Sequence, residues 1–212
     1  MKTAHQTIQF SESLEAEMNS YDIALPAQTV AGLARYFEML SAWNSRLHLV
    51  SFKSPNEFAT RHVLESLLLL KYLPPDARVG DVGSGGGLPI IPCLIARHDV
   101  QAFLIESSKK KAIFLREALS VIGLANGSVI AERFEHIDCP PVDVVSGRAV
   151  EKFERLIEPL TNWAPANVMF ALFGGQGLKG AMAAAGLDVS AILIPNSEQR
   201  FLFVGQSSVK DS

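Results

Sequence analysis

Val79-Gly80-Asp81-Val82-Gly83-Ser84-Gly85-Gly86-Gly87-Leu88-Pro89 is the stretch on which the reading of this chain turns. A short apolar run carrying one acid passes into a glycine turn that opens a helix. Glycines lack a Cβ, so such a turn can take φ > 0 and let a ligand lie against its N–H groups, with a helix N-terminus behind it. A dinucleotide fingerprint, G-x-G-x-x-G, begun at Gly83 needs glycine where Leu88 stands, and begun at Gly85 it needs glycine where Ile90 stands. Both registers fail. What fits is D-x-G-x-G-x-G-x-P, and the turn reads as one for a nucleotide cofactor.

Outward from that turn, composition bounds the class. A chain of 212 residues holds one substantial core, with or without a small appendage. Its 48% apolar and 19% charged residues describe a globular protein rather than a disordered one. No apolar run is long enough to span a bilayer, and Met1-Lys2-Thr3-Ala4-His5-Gln6 leads into polar sequence, so a cytoplasmic protein without a membrane partner is expected. A formal charge of −3 argues against non-specific coating of nucleic acid, but leaves room for a local basic patch. Cys93 and Cys139 lie in unrelated contexts and read as buried reduced thiols. The histidines, His5, His48, His62, His98 and His136, show no H-x-x-x-H spacing, and no metal site is expected.

Residues 1–75 read as a helical extension. Val30, Leu33, Ala34, Phe37, Leu40 and Trp43 recur at helical spacing after Pro26, and Ser54-Pro55-Asn56-Glu57 is a capping box that starts the next helix. Residues 76–212 then alternate strand and helix. Strands are expected at 78–83, 101–106, 128–131, 142–146, 168–173, 189–194 and 200–204. Helices are expected at 89–97, after a Ser107 or Ser108 cap up to Gly123, around Phe153 to Leu160 with a break or kink at Pro159, and at 181–185. Apolar strands buried on both faces predict an α/β fold: a mostly parallel, doubly wound Rossmann-like sheet closed by an antiparallel C-terminal hairpin. The functional crevice of such a sheet lies outside the carboxyl ends of its strands, at the switch point beside the first.

Four features could carry chemistry there. Glu106 ends the second strand about 20 residues past the glycine turn, where an acid reaches a ribose in such folds. Asp81 is an acid in an apolar strand, so its burial calls for compensating backbone N–H or cofactor contacts. Lys109-Lys110-Lys111 opens a helix against its dipole, either as a solvated face or as a phosphate contact. Arg148, in Ser146-Gly147-Arg148-Ala149 after the fourth strand, can hold a carboxylate bidentately. The Asn/Asp-Pro-Pro-aromatic turn that orients an exocyclic amine is replaced by Ser146-Gly147-Arg148, and neither Cys93 nor Cys139 is placed for nucleophilic attack.

The D-x-G-x-G-x-G-x-P turn is similar to that of class I S-adenosylmethionine-dependent methyltransferases. Taken with Trp43-Asn44, Arg61-His62-Val63-Leu64-Glu65-Ser66 and Ser146-Gly147-Arg148-Ala149, nearly the whole chain resembles the bacterial small-subunit (16S) ribosomal RNA guanine-N7 methyltransferases, the glucose-inhibited division protein B family. The resemblance implies S-adenosyl-L-methionine as cofactor and small-subunit ribosomal RNA or its particle as partner; a monomer is expected. It also implies cofactor contacts at Gly83, Leu88, Arg148 and the Phe134-Glu135 pair, the last at the adenine end. Gly85 and Glu106 join that set from the reading of the turn itself. Phe173 stands where the family carries lysine in Leu-Lys-Gly, and His48 where it carries asparagine. Two other readings stay open: a methyltransferase of the same fold acting on a small molecule, and a cofactor-binding protein that has lost catalysis.

Overall fold

A computed structural model supplies the three-dimensional structure and describes residues 2–148 and 153–207. Seven strands form one sheet in the order β3-β2-β1-β4-β5-β7-β6: β1 (Arg78–Val82), β2 (Gln101–Ile105), β3 (Gly127–Ile130), β4 (Val144–Arg148), β5 (Met169–Gly174), β6 (Leu187–Leu193) and β7 (Phe201–Ser207). The first five are mutually parallel. β7 then inserts antiparallel between β5 and β6, so the expected hairpin forms with its second strand on the inside. The order reverses between β1 and β4, which puts the switch point at the end of β1, where the glycine turn begins.

Helices α1 (Lys2–Glu17) and α2 (Ala27–Leu47) precede the sheet. The apolar spacing read in α2 is its buried face, with Val30, Leu33, Ala34, Phe37 and Leu40 inside. His48 ends this helix in the left-handed region at φ 48°, a conformation that asparagine, aspartate and histidine reach more readily than most residues. Ser54 caps the next segment by accepting from the Glu57 N–H, while the Glu57 carboxylate reaches back to the Lys53 N–H, one residue before the cap. That segment runs through α3 (Pro55–Glu57), a π-helix at Phe58–Leu64, α4 (Glu65–Leu67) and a 3₁₀ turn at Leu68–Tyr72. Wide π-turns are rare and gather at functional sites. Nothing in the spacing of residues 58–64 announced this one.

The remaining helices are α5 (Ile90–Ala96), α6 (Lys109–Ile122), α7 (Phe153–Trp163) and α8 (Gln176–Ala184). Ser108 caps α6 and Gly123 closes it at φ 82°. One face of the sheet, α5, α6 and the N-terminal helices share an apolar cluster that joins Phe10, Phe37 and Phe58 to Val79, Leu104 and Phe114. The other face packs on α7 and α8 through Val145, Phe153, Leu160, Leu178 and Phe203. α2 approaches α5 closely: a Cβ on Gly32 would lie 2.8 Å from Ile95 Cγ2.

Three expectations are corrected. Of the break or kink expected at Pro159, the break does not occur, and α7 continues to Trp163. Both Pro159 and Arg155, whose carbonyl loses its helical partner, are exposed, so water can satisfy that carbonyl. Ser146, Gly147 and Arg148 are not a turn but the last three residues of β4, where they pair with Ala171, Leu172 and Phe173 of β5. Ala149, the last residue of that motif, lies outside the described residues. Glu106 comes just after β2 rather than at its last position.

Candidate active site

The glycine turn alternates in hand, with Gly83, Gly85 and Gly87 all at positive φ. At Gly87 the requirement is strict, since its φ is 87° and an added Cβ would lie 2.4 Å from Ile91 Cδ1. Chain neighbours aside, a Cβ on Gly85 would meet nothing nearer than the Gly83 carbonyl at 3.7 Å, so open space lies over the turn. The turn is held from two sides. Glu106 Oε2 accepts from the Gly85 N–H at 2.8 Å and Oε1 from the Ser108 N–H at 2.7 Å, tying the end of β2 to the loop. From the N-terminal helices, the buried Tyr36 hydroxyl donates to the Gly86 carbonyl at 2.6 Å.

Asp81 lies below the turn and is fully buried. The compensation expected for it comes from a side chain: Ser146 Oγ donates to Oδ1 at 2.6 Å, while Oδ2 has no hydrogen-bond partner among the described residues. Burial raises its pKa from 3.8 to about 6, against the pull of the Ser146 hydrogen bond. The folded state therefore holds a proton that the unfolded chain has released between those two values, and stability falls as pH rises across that window, flattening above it. Relative to Asp81→Asn, the wild-type protein free of cofactor is expected to lose on the order of 3 kcal/mol between about pH 4 and pH 6. Denaturant titrations of both proteins across that range measure it. A constant difference would mean that Asp81 titrates as it does in the unfolded chain.

Two cavities meet at Gly83. The larger, about 530 Å³, is walled by the turn with Leu88, by Arg61 and His62 of the π-helix and Glu65 of α4, and by Arg148, Phe173, Lys111 and Arg200. The smaller, about 110 Å³, lies between the ends of β1 and β2 and the segment Glu132, Arg133, Phe134 and Glu135. Phe134 is buried edge-on against Trp163, with centroids 5.5 Å apart, and Glu135 is exposed beside it. Gly83, Gly85, Leu88, Phe134, Glu135 and Arg148 thus line these two spaces, and Glu106 buttresses the turn between them.

Arg148 does not offer the fork expected of it. Its Nη2 donates to Glu65 Oε2 at 2.9 Å and to the Arg61 carbonyl, and its Nη1 donates to the His62 carbonyl and Ser66 Oγ, each at 3.4 Å. The guanidinium also lies over the Phe173 ring, 5.6 Å from its centroid. Burial lowers its pKa, and the Glu65 carboxylate opposes that shift. His62 is pushed down to about 4, first by burial and then by the Arg148 charge, so it is neutral at pH 7. Because a carbonyl can only accept, the His62 Nε2 contact with Ser51 O at 3.2 Å makes Nε2 the protonated nitrogen. Burial pushes both thiols up, Cys93 strongly and Cys139 to about 11, and neither lines either cavity.

Sequence reasoning missed Glu65, Arg200 and Tyr36 as parts of this site. Glu65 carried a usable signal: an acid in the apolar run 63–70 needs a buried partner, as Asp81 did.

Comparison with known proteins assigns the chain. Residues 29–191 match the family model described as GidB, rRNA small subunit methyltransferase G. The chain belongs to this family. It is 37% identical over 175 residues to the ribosomal RNA small subunit methyltransferase G of Nitrosomonas eutropha, covering 82% of this chain and 79% of that protein. To the protein of the same name in Sorangium cellulosum it is 40% identical over 157 residues, covering 71% of this chain and 65% of that one, just under two thirds of its length. Among solved structures, a SAM-dependent methyltransferase from Aquifex aeolicus superposes with a TM-score of 0.58 at 16% identity, over 70% of this chain and 92% of that one. The fold is that of the class I methyltransferases. No helix among the described residues is long and apolar enough to cross a membrane.

Proposed function

We propose that this chain transfers the methyl group of S-adenosyl-L-methionine to N7 of a guanosine in small-subunit (16S) ribosomal RNA. The observation that carries the reading is the pair of cavities meeting at Gly83, in a chain matched by the family model over residues 29–191. The residues present fit the cofactor. The open space over Gly85 admits it, the cleft at Phe134 and Glu135 takes its adenine, and Glu106 takes ribose hydroxyls on the lone pairs left by its two backbone bonds. Leu88 and Arg148 line the other side, toward the larger cavity. When bound, the cofactor supplies a methyl group activated on a sulfonium.

Guanine N7 already carries an in-plane lone pair, so no base is required of the protein, and we assign no catalytic acid or base. The work left to the chain is alignment and tolerance of the positive charge that methylation leaves on the base. A neutral His62 on the wall of the larger cavity adds no charge that would oppose it. Lys111 on the cavity wall, with exposed Lys109 and Lys110 preceding it, favours a polyanion over a neutral small molecule as acceptor. In this reading residues 1–75 are a helical extension that completes the cavity of a methyltransferase domain at 76–212, acting on bacterial ribosomal RNA and hence in the cytoplasm. Mass spectrometry of nucleosides from small-subunit RNA treated with the protein and cofactor tests it. New 7-methylguanosine is expected, and its absence, with cofactor bound, would favour a protein that has lost catalysis.

A further inference from the structure

We propose that Glu65 is a positioning residue that holds Arg200 at the cavity wall to receive an anion, a carboxylate or phosphate of a bound substrate. Three distant segments meet here: Glu65 from α4, Arg148 from the end of β4, and Arg200 from the turn between β6 and β7. Glu65 is buried, with only 1% of its side chain exposed. Its Oε2 accepts from Arg148 Nη2 at 2.9 Å, and its Oε1 accepts from Arg200 Nε at 3.0 Å and lies 2.9 Å from Arg200 Nη2 in an ion pair.

The two guanidiniums are in different states. Arg148 commits both Nη groups to the protein and keeps 14% of its side chain exposed. Arg200 bonds through Nε and Nη2 alone, its Nη1 has no protein partner among the described residues, and its side chain is 35% exposed on the wall of the larger cavity. One carboxylate between two guanidiniums also leaves an unbalanced positive charge. The nearby Arg61 does not add to it, since Arg61 pairs with Glu57 at 2.9 Å. An arginine with free donors, excess positive charge and a fixed direction is a receptor for an oxyanion. Without Glu65 the long Arg200 side chain would keep its charge and lose its orientation. Glu65 has no free oxygen aimed at a ligand, so it acts through Arg200. The proposal rests on the cavity being the methyl-transfer site, and its test is built from binding equilibria that need no turnover.

Glu65→Gln, Arg200→Gln and the double variant are compared with wild type in cofactor affinity by calorimetry, small-subunit RNA affinity by filter binding, and melting temperature. The expected result is a loss of roughly tenfold or more in one of the two affinities for each single variant, with the double variant no weaker than the poorer single. The cofactor arm falls if the anion is the methionine carboxylate, and the RNA arm if it is a phosphate. A lower melting temperature with both affinities intact in folded Glu65→Gln would make the carboxylate a structural counter-ion only and overturn the proposal. So would single losses that multiply in the double variant. Should Glu65→Gln fail to fold, Glu65→Asp takes its place in the cycle, because it keeps the charge but falls one methylene short of its two partners. Failure of the wild-type protein to methylate RNA would sink the proposed function and leave this cycle readable.

Discussion

Small-subunit RNA carrying 7-deazaguanosine in place of guanosine is expected to take up no methyl group above background, while the unmodified RNA is labelled. The substitution replaces N7 by carbon and leaves the Watson–Crick edge unchanged, so RNA folding and docking survive and only the reacting lone pair is removed. The expectation follows from what the site lacks and what it holds. Its cysteines lie outside both cavities with thiols raised by burial, so no nucleophile is set for attack on a ring carbon. β4 ends in Ser146, Gly147 and Arg148, and Ser146 is engaged with Asp81, so these residues present no amide and proline pair to orient an exocyclic amine. A ring nitrogen with an outward lone pair is the acceptor that asks least of these residues, and N7 is reachable when the base is unstacked in a loop. Methyl incorporation into the 7-deaza RNA at the unmodified rate would reject N7 as the reacting atom.

Glu106→Ala is expected to weaken S-adenosyl-L-methionine binding by roughly 10- to 100-fold, the equivalent of about 1.5–3 kcal/mol of charge-assisted hydrogen bonding. Two effects add. The lone pairs proposed to hold the ribose are lost, and the N–H groups of Gly85 and Ser108 lose their acceptor, so the turn is no longer pinned to the end of β2. Glu106→Gln separates these effects. Its single amide oxygen can keep one backbone bond but cannot serve both N–H groups and a diol, so its affinity should fall between the wild type and the alanine variant. Calorimetry on folded variants decides, and an unchanged affinity in Glu106→Ala would remove Glu106 from the cofactor site.

Much of the fold was written locally. The glycine spacing of 83–87 demanded positive φ, Ser108 and Gly123 marked the ends of α6, and the apolar period of α2 named its buried face. Each is a rule about neighbours within a turn or two, which one stretch of sequence expresses in full. The burial of Asp81 was legible for the same reason, as an acid inside an apolar strand. Its partner was not, because Ser146 stands 65 residues away.

The shape of the site was decided at long range. Arg200 is 135 residues from Glu65, and Arg148 is 83 from it; whether those charges meet depends on β7 entering the sheet between β5 and β6 and on Glu65 being buried at the start of α4. The tertiary structure also turned Arg148 from an open fork into a committed one and left Arg200 with the free donors. By itself the sequence determined the sheet, the turn and the class of ligand the turn admits, through local backbone and periodicity rules. Which charged groups face that ligand was decided only by packing, since a buried ion pair is a contact between surfaces and leaves no period or spacing in the chain.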